Sequence, residues 1–197
     1  MSDAPERVGA IVLAGGRSSR FGRDKLAEPV GGRSMLDRAV DAVGVVATDI
    51  VVVRAPGMSG SLSPEVTIAH DARAFEGPLA GLAAGLAALD PSVRRAIVVG
   101  GDMPSLVPRV LDRMIEELAS TDVVVLGTDD GPRPLPMAIH PVVVRPVIDR
   151  LLAGGERRLR ALLTEVRVVA LDQASWRHDD PDGASLRDVD VPEDLSG

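Results

Sequence analysis

Short runs of β-branched residues alternate along this chain with longer amphipathic segments, and this alternation most constrains the fold. Strands that alternate with helices predict an α/β domain with a mainly parallel, buried central sheet. The pattern predicts strands at residues 8–13, 50–53, 66–69, 95–99, 122–126, 135–140 and 167–171. It predicts helices at residues 34–43, 78–89, 106–118, 141–152 and 156–163, and a closing helical turn at 191–195.

Several residues predict where these elements begin and end. Ser34 is suited to cap the first helix, and Pro78 to open the second. The prolines near residues 135–140 place that strand near an edge of the sheet or in an irregular stretch. Gly154 and Gly155 predict a helix stop. Residues 174–185 are polar and read as loop.

The composition excludes several classes of protein. The 197 residues are 45% apolar and 26% charged, as in an ordinary globular protein. Without cysteine, disulfides, thiolate zinc sites, haem attachment and a cysteine nucleophile are excluded. Three aromatic residues and a net charge of −7 argue against a nucleic-acid partner. We leave His140, His178 and Trp176 without a role.

The N-terminal segment does not resemble a secretory signal. Asp3 and Glu6 precede the first apolar run and arginines follow it, which is the opposite charge order. No apolar run approaches the ~20 residues that span a bilayer. We therefore expect a cytoplasmic protein that starts at its native residue and has no membrane partner.

A glycine- and arginine-rich segment follows the first predicted strand. Between Gly15 and Lys25, four cations against one aspartate give a net charge of +3 and leave −10 for the rest of the chain. Backbone N–H groups and fixed cations in such a loop can hold a polyphosphate. The spacing fits neither a Walker A loop nor a G-x-G-x-x-G fingerprint. The alternative is a solvated surface loop.

The ordered residues of this loop resemble a known signature. Leu13 to Lys25 is similar to the L-A-G-G-x-S-x-R-x-G-x-D-K segment of the molybdenum cofactor guanylyltransferase family. Further blocks resemble that family in the same order. These blocks are G-P-L-A-G at 77–81, G-D-M-P at 101–104 with glycine for the usual cysteine, G-E-R-R at 155–158, and D-V-D-V-P-E-D-L at 188–195.

The resemblance implies a Rossmann-like three-layer domain of the nucleotidyltransferase (GT-A-like) type over residues 1–197. It implies a nucleotide-binding half at about 8–105 and an acceptor-binding half at about 106–195. The reaction would transfer GMP from GTP to molybdopterin or the molybdenum cofactor and release pyrophosphate, with Mg²⁺ as cofactor. Proteins that deliver the cofactor would make transient contact. An acceptor phosphate is already anionic, so positioning, charge neutralisation and a metal suffice.

The resemblance also assigns residues to the nucleotide. Lys25, Arg20 and Asp102 are the predicted catalytic residues. Asp102 would follow a strand at the edge where α/β sheets bind ligands, and its alternative is a helix cap. The predicted nucleotide-binding residues are Leu13, Ala14, Gly15, Gly16, Lys25, Asp71, Asp102, Arg54 and Gly77. Arg54 stands where the family often has asparagine, so a salt-bridged rim arginine is an equal alternative. Gly77 also suits a plain turn into a close-packed helix.

The acceptor and a second metal ligand are assigned to the later blocks. The predicted acceptor-binding residues are Arg157, Arg158, Asp188 and Asp190, and the predicted metal ligands are Asp102 and Asp190. The two aspartates stand where the family has asparagines, so an acidic tail is the alternative. For Arg157 and Arg158, the alternative is a place on the polar face of a helix.

Three other functions stay open. A cytidylyltransferase sister class has L-A-A-G and P-K where this chain has Gly15-Gly16 and Asp24-Lys25. A guanylyltransferase that acts on a phosphorylated three-carbon acid in deazaflavin synthesis is the second. A non-catalytic nucleotide-binding homologue, suggested by Arg54 and the two aspartates, is the third.

Overall fold

A computed structural model describes residues 7–15, 26, 29–30, 32–55, 65–70 and 77–189. The strands are β1 (Val8–Ala14), β2 (Pro29–Val30), β3 (Arg33–Ser34), β4 (Asp49–Arg54), β5 (Val66–His70), β6 (Arg95–Gly100), β7 (Val123–Leu126), β8 (Arg133–Ile139) and β9 (Val168–Leu171). The α-helices are α1 (Met35–Gly44), α2 (Pro78–Ala88), α3 (Pro108–Glu117), α4 (Pro141–Ala153), α5 (Leu159–Leu162) and α6 (Gln173–Trp176).

Seven strands form one sheet in the order β5-β4-β1-β6-β8-β7-β9. β1 runs parallel to β4 and β6, β4 parallel to β5, and β7 parallel to β9, while β8 is antiparallel to both of its neighbours. The predicted α/β fold with a mainly parallel sheet is therefore confirmed. Leu13 lies opposite both Val53 and Gly100, so β1, β4 and β6 end together.

The position of β8 differs from the sequence expectation. The prolines predict an edge strand or an irregular stretch, and the edge is wrong because β8 lies between β6 and β7. The irregular stretch is confirmed, since the register with β7 shifts from Val125 opposite Met137 to Leu126 opposite Arg133. The prolines fall inside this shift, where their missing N–H groups interrupt no regular ladder.

Helices cover both faces of the sheet. Helices α1 and α3 pack on one face of the sheet, and α2 and α4 pack on the other. Each face has its own cluster of buried apolar side chains. The predicted cap of α1 is confirmed, because the Ser34 hydroxyl accepts a hydrogen bond from the Asp37 amide at 3.0 Å. Helix α2 lies unusually close to the sheet: a Cβ at Gly85 would be 2.5 Å from Ile11 Cγ2.

The last third of the chain holds more structure than its polar sequence predicts. The helix predicted at 156–163 is only Leu159–Leu162, because a turn occupies the preceding residues. The loop predicted at 174–185 overlaps α6 and leads into a 3₁₀ helix at Ala184–Leu186. Trp176 is fully buried, and its Nε1 donates to the Gly127 carbonyl at 3.0 Å. The closing turn predicted at 191–195 lies outside the described residues.

Candidate nucleotide site at the carboxyl edge of the sheet

The ends of β1, β4 and β6 bring together five of the predicted site residues. The Gly101 amide donates to the Leu13 carbonyl at 2.9 Å, which ties the loop after β6 to the end of β1. A Cβ at Gly15 would lie 3.7 Å from the Ala55 amide nitrogen, so the chain leaves β1 beside the chain that leaves β4. The residues that meet here are Leu13, Ala14, Gly15, Arg54 and Asp102. Parallel strands collect ligand-binding groups at this edge.

Arg54 is the last residue of β4, and its side chain is buried rather than solvated. It is only 5% exposed and pairs in register with Ala14 on β1 and His70 on β5. Arginine is a cationic side chain whose guanidinium suits phosphate groups. The structure thus adds a fixed positive charge behind the edge where the polyphosphate is predicted.

Asp102 follows β6 and is half-buried. Its side chain folds back over the end of its own strand, since a Cβ at Gly100 would lie 2.5 Å from Asp102 Oδ1. Asp102 does not cap the next helix, because α3 begins at Pro108 after an N-cap at Val107. The helix predicted from residue 106 therefore begins two residues later, and the Asp102 carboxylate lies at the edge of the sheet.

Gly101, which stands where the resemblance implies a cysteine, is closely packed at this edge. A Cβ at Gly101 would meet Leu36 Cδ1 at 3.3 Å and Ala14 Cβ at 3.4 Å. The first distance is tighter than an ordinary contact, so these neighbours leave little room for a larger side chain. Position 101 therefore serves packing at this edge.

A structured tail segment, residues 177–189, brings Asp188 and Val189 to Asp102. The Asp180 carboxylate is 3% exposed and accepts from the Ala184 and Ser185 amides at 2.9 and 2.8 Å. The Ser185 hydroxyl in turn accepts from the Val107 amide at 3.0 Å, just before α3. Sequence reasoning missed this segment because its anchors are a short polar turn without hydrophobic periodicity.

The tail segment ends against the proposed metal ligand. The Val189 amide donates to the Asp102 carbonyl at 3.0 Å. Asp188 therefore lies beside Asp102 along the backbone, and its carboxylate is 3.8 Å from the Arg133 guanidinium. The sequence places these aspartates 86 positions apart, and the fold brings their segments into contact.

Gly77 and the G-E-R-R block meet at the start of α2. Gly77 has φ 96°, a conformation in which side chains are strained, and its Cβ would lie 2.9 Å from both Cβ and the carbonyl oxygen of Arg157. That carbonyl accepts from the Leu79 amide at 3.2 Å. The predicted turn into a close-packed helix is thus present, and its packing partner is the backbone of Arg157.

The side chains of Arg157 and Arg158 bond to the turn that carries them. Arg158 donates from Nε and a terminal nitrogen to the two Glu156 oxygens at 3.1 and 3.0 Å. Arg157 donates to the carbonyls of Leu152 and Glu156. The Arg158 side chain and the amides of both arginines lower the pKa of Glu156 from 4.5 to about 2. Sequence reasoning gave Glu156 no role, although its spacing between two glycines and two arginines was visible.

The remaining predicted residues lie outside the described part of the chain. They are Arg20, Lys25, Gly16, Asp71 and Asp190. Their roles stay predictions.

The residues present suit a hard divalent cation. Mg²⁺ is commonly held by one or two carboxylates together with phosphate oxygens and water. The half-buried Asp102 carboxylate, at the end of β6, provides one such oxygen donor. Within the described ranges, no group of three or more His, Asp or Glu residues could hold a metal ion by itself. A metal here would complete its coordination with substrate oxygens and water.

The histidines have separate surroundings. The ring nitrogens of His140 lie 3.0 Å from the Arg94 carbonyl and 2.9 Å from the Leu118 carbonyl. His140 thus ties the start of α4 to the neighbouring backbone, whereas His178 is exposed in the tail segment. Among the described residues, no helix combines the length and the apolar character needed to cross a bilayer.

Comparisons with known proteins relate this chain to one family. The sequence model of the protein family described as the MobA-like NTP transferase domain matches residues 10–172 of this chain. A probable molybdenum cofactor guanylyltransferase of Mycolicibacterium paratuberculosis is 37% identical over 168 residues, which are 83% of each chain. The molybdenum cofactor guanylyltransferase of Desulfosudis oleivorans is 32% identical over 192 residues, covering 96% of this chain and 93% of its own.

Solved structures agree on the fold. Molybdopterin-guanine dinucleotide biosynthesis protein A of Archaeoglobus fulgidus superposes with a TM-score of 0.77 at 22% identity over 95% of each chain. A 4-diphosphocytidyl-2C-methyl-D-erythritol synthase of Anaerococcus prevotii superposes at 0.71 with 17% identity, over 97% of this chain and 93% of its own. The predicted nucleotidyltransferase fold is confirmed. The chain belongs to the MobA-like NTP transferase family and is a nucleotidyltransferase.

Proposed function

We propose that this enzyme transfers GMP from GTP to molybdopterin or the molybdenum cofactor, with Mg²⁺. An oxygen of the acceptor phosphate attacks the α-phosphorus of GTP, the bond to the β-phosphate bridge breaks, and pyrophosphate leaves. The observation that carries the proposal is the match to relatives named molybdenum cofactor guanylyltransferase over nearly the whole chain. The ordered motif blocks support the same reaction.

The nucleotide is assigned to the half of the chain at about residues 8–105. Lys25 and Arg20 would neutralise the triphosphate, and the buried guanidinium of Arg54 would add positive charge at the end of β4. The backbone of residues 13–16 would approach the phosphates where a side chain would intrude. Asp71 and Gly77 complete the assigned nucleotide contacts.

Asp102 and Asp190 are assigned to the metal. Mg²⁺ bound there would neutralise charge that develops on the phosphate oxygens. The position of Asp102 at a strand end and the bond from Val189 to its carbonyl support the assignment, because Val189 directly precedes Asp190.

The acceptor is assigned to the half at about residues 106–195. The resemblance assigns Arg157, Arg158, Asp188 and Asp190 to it. We retain Asp188 and Asp190 as its contacts, because the side chains of both arginines bond to their own turn. The ion pair between Arg133 and Asp188 partly offsets the negative charge that aspartate brings where the family has asparagine. Proteins that deliver the cofactor remain predicted transient partners.

A pyrophosphate-release screen tests the proposal. Each of the four nucleoside triphosphates is supplied with Mg²⁺, with and without molybdopterin. We expect release with GTP only when molybdopterin is present. Release with CTP but not GTP would overturn the base assignment, and tight GTP binding without any turnover would favour a non-catalytic binding protein.

Substitution of Asp102 tests the metal assignment. Asp102→Asn keeps the shape of the side chain but removes its charge, so we expect an intact fold and loss of Mg²⁺-dependent turnover. Asp149→Asn, an exposed aspartate on α4, is the matched control and should behave as wild type. Near-normal turnover by Asp102→Asn would overturn the assignment.

A further inference from the structure

We propose that Glu156 is a positioning residue for the nucleotide end of the site. It holds the turn whose Arg157 carbonyl fixes the start of α2, and so it sets the affinity for the nucleotide rather than for the acceptor. This inference rests on the proposed function, and it moves the G-E-R-R block from the acceptor side of the reaction to the nucleotide side.

The turn is built first by the end of α4. The Gly155 amide donates to the Leu152 carbonyl and the Glu156 amide to the Leu151 carbonyl, both at 3.0 Å. With Gly155 at φ 85°, these two bonds form a Schellman motif. The chain is thereby reversed at a defined point, and Glu156 is the first residue beyond it.

Glu156 then fixes the residues that follow. Its Oε1 accepts from the amides of Arg157 and Arg158 at 2.8 and 3.0 Å, while both oxygens take the Arg158 guanidinium. A carboxylate with two backbone donors and a two-point arginine contact is held by charge-assisted hydrogen bonds. The direction of the Arg157 carbonyl therefore depends on the Glu156 side chain.

The Arg157 carbonyl acts on α2. A helix leaves its first N–H groups without partners inside the helix, and Pro78 and Gly77 provide no side-chain cap. The Leu79 amide donates to the Arg157 carbonyl instead, at 3.2 Å. The close approach of Arg157 to Gly77 leaves no space for the helix start to shift in this direction.

The start of α2 borders the proposed nucleotide site. One turn into the helix, a Cβ at Gly81 would be 3.5 Å from Leu13 Cδ2, and Leu13 precedes the glycine loop. Moving this end of α2 would therefore disturb its packing against Leu13, at the end of β1, where the nucleotide is proposed to bind. The Arg158 guanidinium is already engaged by Glu156, which makes its role indirect.

Steady-state kinetics of the full enzyme with GTP, molybdopterin and Mg²⁺ test the proposal. Glu156→Ala should raise the KM for GTP about tenfold through loss of charge-assisted bonds, with kcat and the KM for molybdopterin within about twofold of wild type. Glu156→Gln, which keeps one acceptor oxygen, should recover part of the loss. Glu165→Ala removes the exposed partner of Arg150, an ion pair that lies outside the turn, and should leave all constants unchanged.

Contrary outcomes are distinct. A rise in the KM for molybdopterin with an unchanged KM for GTP would return the block to the acceptor side, and a fall in kcat alone would indicate a merely structural role. Either overturns the proposal.

Arg158→Met separates the role of the Arg158 guanidinium from that of the Glu156 backbone contacts, which it leaves in place. It should raise the KM for GTP less than Glu156→Ala does, and a raised KM for molybdopterin would overturn the indirect role of Arg158. Absence of turnover in the wild type would instead refute the proposed function.

Discussion

The tail segment offers a direct measurement of what a short polar turn contributes to stability. The Asp180 carboxylate is almost fully buried and accepts two backbone amides, from Ala184 and Ser185. A hydrogen bond to a charged group contributes about 1.5 to 3 kcal/mol, and a buried donor left unpaired adds a penalty. Because the two bonds share one carboxylate, we expect Asp180→Ala to lower the free energy of unfolding by about 2 to 4 kcal/mol.

Urea denaturation and thermal melting measure this loss. For a chain of this size, 1 kcal/mol corresponds to about 2 to 4 °C, so Tm should fall by roughly 5 to 15 °C. Asp180→Asn keeps one oxygen acceptor and should lose about half as much. Asp182→Ala, an exposed aspartate in the same turn, is the control and should stay within about 0.5 kcal/mol of wild type.

Amide hydrogen exchange locates the effect. In Asp180→Ala, the amides of Ser185 and Val107 should exchange faster, since one loses its acceptor and the other bonds to the Ser185 hydroxyl. The Val189 amide, bonded to the Asp102 carbonyl, should follow. Equal loss of stability in the Asp180 and Asp182 variants, or unchanged exchange at Ser185, would refute the view that this carboxylate holds the tail against the site.

Two further predictions concern packing and pH. Gly85→Ala places a Cβ 2.5 Å from Ile11, so it should lower the free energy of unfolding by about 1 kcal/mol despite the better helix propensity of alanine. Gly81→Ala meets Leu13 at an ordinary 3.5 Å, so it should raise the free energy of unfolding by up to about 1 kcal/mol. Calorimetry of both variants measures the difference. The pKa of Glu156 falls on folding from 4.5 to about 2, so its contribution is complete above 4.5 and is lost as the pH falls towards 2. Glu156→Gln should flatten stability in that interval, which acid titration of unfolding measures, and an unchanged profile would contradict it.

The strands and long helices were predictable because they are written in local patterns. Residues such as Val51 and Val98 lie in continuous apolar runs, and strands buried on both faces require such runs. The order of the strands is a different matter. Pro134 and Pro136 predicted an edge position or an irregular stretch for β8; the pairing is irregular there, but β8 lies inside the sheet.

Prediction at the site stopped where contacts are made by backbone groups. Asp102 could be placed because a carboxylate after a strand is visible in the sequence. The bond from Val189 to its carbonyl could not, since any residue offers the same N–H and C=O. The packing of Trp176 was also not predictable, because an aromatic residue in a polar segment does not indicate which apolar cluster it joins.

These backbone contacts also explain how a site can be assembled from distant motif blocks without large interfaces between side chains. The Val189 amide joins the tail segment to Asp102, and the Arg157 carbonyl joins the G-E-R-R turn to the start of α2 by accepting from the Leu79 amide. Each junction is in turn held by one buried or multiply bonded carboxylate, Asp180 or Glu156. If this is how the blocks cooperate, combining Asp180→Asn with Glu156→Gln should give additive losses in stability, because the junctions share no residue. A coupling well above about 0.5 kcal/mol would show instead that the two ends of the site move together.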